Sequence, residues 1–200
     1  MNPTGKLAVT FPKSDADLPH PKLILPPPGS LPDFNHLVAD DSNIFNVLFQ
    51  PLPAFQVNYN EGLKVGYKWF DAEHKPVLFP FGFGLSYTRY QYSGLTIQDG
   101  KALTVSFTVR NSGQRVGTEI AQVYASFPDA AGEPPKRLIG WTRVELAAGE
   151  SKPVTMAVDH DRLTIFDEAA DRWKLVPGAY KVLVGGSSSD LPLSTAVNLH

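Results

Sequence analysis

"LTVSFTVRNSGQRVGTEIAQVYASF", residues 103–127, alternates in twos on both sides of a turn. Leu103, Val105, Phe107 and Val109 fall on one face, and Thr104, Ser106, Thr108 and Arg110 on the other. That is the period of a half-buried strand. Asn111-Ser112-Gly113 carries turn chemistry, and Ala121, Val123, Ala125 and Phe127 then resume the alternation. Two antiparallel strands, each with one face in a core, are predicted here.

The same pattern runs on downstream. Residues 136–146 read as a strand closed by Ala147-Ala148-Gly149-Glu150, after a loop over 129–135. Val154, Met156 and Val158 alternate, then residues 163–167, then Tyr180, Val182 and Val184, and residues 193–199 can close the set. With 89–97, this makes seven or eight short strands with turns about every ten residues, the pattern of an antiparallel β-sandwich.

Upstream the chain changes character. Leu7, Val9 and Phe11 alternate with polar or small residues and predict a short strand after the turn Asn2-Pro3-Thr4-Gly5. Between Pro12 and Pro53 the prolines break any long helix, and only 34–49 has room for a short one. In 59–72, Leu63, Gly66, Tyr67 and Phe70 fall at helical spacing with Asn60 as a cap, predicting a helix. The aromatic stretch FPFGFGLSYTRY, residues 79–90, follows. Its rings suit either a ligand platform or an interface between packed layers, and Gly82 and Gly84 favour the interface by letting backbones approach. The fold class is therefore mainly β, a sandwich preceded by a loop-rich segment.

The bulk numbers exclude several classes. Net charge is −2, with acids and bases interspersed, which argues against a nucleic-acid footprint. No apolar run approaches the length of a membrane span, and the first residues lack the pattern of a signal peptide. The absence of cysteine removes disulfides and thiolate chemistry. His20, His36, His74, His160 and His200 show no helical metal spacing, so neither a metal nor a cofactor is expected.

Candidate chemistry is sparse. Asp40, Asp41, Glu61, Asp71 and Glu73 are the carboxylates available for paired acid–base work, and a solvated or capping role suits each of them. His160-Asp161 reads as turn chemistry. Ser187-Ser188-Ser189 lacks a nucleophile elbow, and Gly82-x-Gly84 lacks the rest of a phosphate or dinucleotide motif. Trp69, Trp141 and Trp173 are the aromatic candidates for a carbohydrate or protein surface.

Six stretches carry a resemblance. "NPTGKLAVTFP" (2–12), "YNEGLKVGYKWFD" (59–71) and "PVLFPFGFGLSYTRYQYSGL" (76–95) resemble the end of the second domain of family 3 glycoside hydrolases, the β-glucosidase and β-xylosidase group. "VRNSGQRVGTEIAQVY" (109–124), "KRLIGWTRVELAAGES" (136–151) and "LTIFDEAADRWKLVPGAYKVLVGGSSSDL" (163–191) resemble the fibronectin type III-like domain that ends many of these enzymes. The resemblance implies residues 1–86 as the end of an α/β sandwich domain and 87–200 as a fibronectin type III-like sandwich, with 79–90 as the hinge between them.

The resemblance also implies a parent that hydrolyses terminal β-D-glycosides with retention, whose nucleophilic Asp and acid/base Glu lie upstream of residue 2. No residue here inherits either role; Glu61 and Asp71 match family positions that are not the catalytic ones. The expected partners are the parent's upstream catalytic domains, or a second copy through residues 1–80. A stand-alone carbohydrate- or protein-binding module is the alternative. Family members occur in periplasmic, secreted and cytoplasmic forms, so compartment stays open.

Overall fold

The computed structural model describes residues 2–21 and 58–200. The predicted helix at 34–49, and Asp40, Asp41 and His36, lie outside these residues. In chain order the elements are β1 (Phe11–Pro12), α1 (Tyr67–Ala72), β2 (Val77–Phe79), β3 (Tyr90–Gln98), β4 (Leu103–Asn111), β5 (Gly117–Ser126), β6 (Arg137–Leu146), β7 (Ser151–Val158), β8 (Thr164–Asp167), β9 (Arg172–Leu175), β10 (Gly178–Gly185) and β11 (Leu193–Leu199).

Seven strands build the sandwich. A three-stranded sheet in the order β3-β4-β7 faces a four-stranded sheet in the order β11-β10-β5-β6, and every pairing is antiparallel. The alternation seen in the sequence becomes the core: Leu103, Val105 and Val109 of one sheet and Val123, Val182 and Val184 of the other are all fully buried. Each such side chain contributes on the order of 1.5–3 kcal/mol by leaving water. Tyr180 enters the same core, and its hydroxyl donates to the Val176 carbonyl at 2.8 Å. A tyrosine near the start of a strand, bonded a few residues back, is the tyrosine corner of immunoglobulin-like sandwiches.

Four expectations change. The strand predicted at 163–167 does not join the sandwich; β8 pairs with β9, which the sequence reading left out, as a separate hairpin. The helix predicted over 59–72 is only α1, because Gly62 and Gly66 take φ of +57° and +59° and hold the first half in turns. The strand predicted at 7–11 shrinks to β1, paired with β2, while Leu7 exchanges backbone bonds with Phe83 and Gly82 instead. The turn expected at His160-Asp161 is a short 3-10 helix, His160–Leu163.

Candidate functional site: the junction on strand β5

β5 has no solvent face. Ala121, Val123 and Ala125 point into the sandwich core, while Gln122 and Tyr124, on the opposite face, are buried just as deeply. The cover is the aromatic stretch. Phe81 packs on Tyr67 of α1 with ring centroids 5.0 Å apart, and Tyr67 meets Tyr124 edge-on at 5.8 Å. A buried amide must satisfy its donors and acceptor, and Gln122 does so across three segments. Its Nε2 donates to the Gly82 carbonyl (3.1 Å) and the Gly186 carbonyl (2.7 Å), and its Oε1 accepts from the Tyr124 hydroxyl (2.6 Å). Gly82 is required for this approach: its φ is +79°, and a Cβ there would lie 2.1 Å from Gln122 Oε1.

α1 is fastened beside it. β6 carries a register shift opposite Val123 and Tyr124, and the Leu138 amide donates to the Tyr67 hydroxyl at 2.8 Å. Asp71, in the last turn of α1, pairs with Lys136 Nζ at 2.6 Å. Burial raises the Tyr67 pKa, against the pull of the Leu138 hydrogen bond, so the ring stays neutral.

At the mouth of the sandwich a charged cluster replaces the apolar core. Glu119 lies on the same β5 face as Ala121, one step beyond the core. Its Oε1 accepts from Lys6 Nζ at 3.1 Å and from the Tyr92 hydroxyl at 2.9 Å, and Lys6 also donates to the Gly186 carbonyl at 3.1 Å. Burial pushes the Glu119 carboxyl above the usual carboxylate range, although Lys6 and Tyr92 pull the other way. Burial and the neighbouring Glu119 charge also hold Tyr92 far above the ordinary phenol range. Lys6 and Glu119 come from the two sequence stretches, 2–12 and 109–124, whose resemblances belong to different halves of the chain.

Two asparagines complete the joint. Asn111 is fully buried; its Nδ2 donates to the carbonyls of Arg115 (2.7 Å) and Leu146 (3.3 Å), and its Oδ1 accepts from the Thr88 hydroxyl and the Gly113 amide. Asn2 holds the aromatic stretch from outside, accepting from the Tyr87 amide at 2.8 Å and donating to Ser86 Oγ at 3.1 Å.

The residues singled out in the sequence are placed apart. Glu61 lies 2.9 Å from the His20 ring nitrogen, and Asp71 pairs with Lys136, so each carboxylate has a partner of its own. Glu73 pairs with Lys64 at 2.8 Å. Trp69 donates its ring N–H to the Asp17 carbonyl at 2.8 Å, with Lys75 5.4 Å from the ring. Trp141 on β6 and Trp173 on β9 are both exposed, and Trp173 packs edge-on against Phe166 of β8, its cross-strand partner. Among the described residues no ring contact links the three tryptophans. Ser187 and Ser188 are buried, and the Ser188 amide donates to the Phe81 carbonyl at 2.9 Å. Among the described residues no cluster of three His, Asp or Glu is arranged to hold a metal, and no helix is long and apolar enough to cross a membrane. The sequence reading did not single out Lys6, Glu119 or Gln122. The available signal was a Glu and a Gln inside an otherwise apolar strand, "GTEIAQVYA" (117–125).

A family model described as the fibronectin type III-like domain matches residues 119–188, from the buried Glu119 to Ser188 of the junction. The probable β-glucosidase M of Neosartorya fischeri is 34% identical over 99% of this chain, a match that takes in 26% of that protein. The crystal structure of DesR, a β-glucosidase from Streptomyces venezuelae in complex with D-glucose, superposes with a TM-score of 0.75 at 37% identity, over 100% of this chain and 23% of that one. The GH3 β-glucosidase of Bifidobacterium adolescentis superposes at 0.78 with 31% identity, over 100% of this chain and 26% of that one. The chain thus spans about a quarter of the length of the relatives it matches. It belongs to the family 3 glycoside hydrolases of the β-glucosidase type, and what it contains is their C-terminal, fibronectin type III-like portion.

Proposed function

We propose that this chain is the structural, non-catalytic part of an enzyme that hydrolyses terminal β-D-glycosides with retention. Residues 1–86 complete an α/β sandwich domain of that enzyme, and residues 87–200 form its fibronectin type III-like domain. The relatives' names support β-glucosidase activity, retention follows from the family resemblance, and the quarter-length match supports a division of labour in which catalysis lies elsewhere in the parent.

The observation that carries this reading is an apolar face without a cover among the described residues. Val9 is 56% exposed, Leu78 57%, Phe11 44% and Phe79 39%. Phe11 and Phe79 meet edge-on at 6.2 Å across β1–β2, and Phe83 packs on Phe79 at 5.2 Å. A two-stranded sheet with an apolar face is marginal by itself and seeks further layers. In the parent those layers are the upstream catalytic domains. In the isolated chain a second copy takes their place, through residues 1–80. Sedimentation of the 200-residue chain and of its Phe11→Ser/Phe79→Ser variant tests this. The wild type is expected to self-associate and the variant to run as a monomer with the same β circular dichroism. A wild-type monomer at every concentration would overturn the proposed role of this face.

A further inference from the structure

We propose that the groove flanking Tyr90 and Tyr92 binds a neutral, hydroxyl-rich ligand of the saccharide class. Two clefts, of about 570 Å³ and 610 Å³, share Tyr90, Tyr92 and Asp190 as a common wall. One runs between the 83–88 segment and the 186–190 loop, over Glu119; the other runs along β3 to Thr108 and Arg110. Each falls within the range of about 300–1,000 Å³ typical of small-ligand sites.

The cleft along β3 is electrically balanced, and the other keeps the Asp190 carboxylate as its one uncompensated charge. Lys6 neutralises Glu119 directly, which leaves one carboxylate, Asp190, and one guanidinium, Arg110. The β3 cleft has no net charge to draw an ion, and its polarity does not suit an aliphatic ligand. Elsewhere at the junction polar groups are consumed by one another. The side chains of Asp190, Arg110, Ser93 and Ser189 instead make no hydrogen bond or ion pair among the described residues. A sugar ring matches this set. Its neighbouring hydroxyls donate to a carboxylate and accept from a guanidinium, and its C–H face rests on a half-buried tyrosine ring. A peptide added as a strand to the free edge of β3 fits less well. The ladder there is broken by the irregularity between Ser93 and Thr96, with Gly94 at φ +67°.

This inference does not depend on the parent reaction. The test is a titration of the ¹⁵N-labelled 200-residue chain with cellobiose and, separately, glucose, followed by amide chemical shifts. Saturable shifts are expected at residues 90–93 and 187–190. Asp190→Asn and Arg110→Met alter exposed side chains, so the fold should persist. Each is expected to weaken binding about tenfold, the effect of losing one charge-assisted hydrogen bond. Trp141→Ala and Trp173→Ala should leave affinity unchanged. No saturable shift at millimolar sugar, shifts centred on Trp141 or Trp173, or affinity indifferent to both groove variants would each overturn the proposal.

Discussion

Gln122 shows how one residue can decide whether two parts of a chain stay together. Its amide is 3% exposed and bonds to the carbonyls of Gly82 and Gly186 and to the Tyr124 hydroxyl. Gln122→Ala leaves the Gly82 carbonyl and the Tyr124 hydroxyl buried without partners, while the Gly186 carbonyl keeps only Lys6, and a loss of about 2–3 kcal/mol in urea unfolding is expected. Gly82→Ala should cost about 1–2 kcal/mol from its left-handed backbone alone, and more from the collision with Gln122. Glu119 adds a pH dependence. Its pKa is raised in the folded chain, so over the interval above the ordinary glutamate value the native state holds a proton that the unfolded state has lost. Its contribution is therefore fully present below the unfolded pKa and is lost as pH rises through the folded one. The stability of wild type relative to Glu119→Gln should fall with rising pH across the mildly acidic range. A difference that is flat or rising there would contradict the burial account.

Among the elements, β4 and β5 were legible because each carries a clean period of two, and a buried face enforces that period. β5 still held something its alternation did not reveal, since a strand covered on both faces and a half-exposed one can share a pattern when the second cover is polar. α1 was legible as a helix but not in extent, because helical spacing at Leu63 and Gly66 does not register that two glycines there adopt positive φ. The β8–β9 hairpin was half missed. Arg172–Leu175 has too few alternating residues to signal a strand, and the facing Phe166–Trp173 pair supplies cross-strand contact where there is no core. α1 supplies the prediction at this scale. Tyr67→Phe removes the acceptor for the Leu138 amide at the β6 irregularity. A loss of about 1–3 kcal/mol is expected, with faster hydrogen exchange at Leu138 than in wild type. Unchanged protection at Leu138 would contradict the claim that the Tyr67 hydroxyl shields this amide.

At the scale of the whole molecule, the sandwich was readable from periodicity and the family from long stretches of sequence in the right order. The junction was not readable, because it is made by residues more than a hundred positions apart, such as Lys6 and Glu119. Sequence alone gave no sign that the aromatic stretch is bonded into the sandwich as well as packed on it, through the Gly82 and Phe81 carbonyls and the Thr88 hydroxyl. The same pattern bears on chemistry. Retaining glycoside hydrolysis needs two carboxylates about 5–5.5 Å apart across the scissile bond. Glu61 and Asp71 are each already engaged by a partner of their own, His20 and Lys136. The central claim, that this portion of the family supports catalysis without performing it, is tested most directly by incubating the purified 200-residue chain with p-nitrophenyl β-glucoside and β-xyloside. No turnover above a repurified blank is expected; reproducible turnover that vanishes in Glu61→Gln or Asp71→Asn would contradict the claim and place a carboxylate pair within this chain.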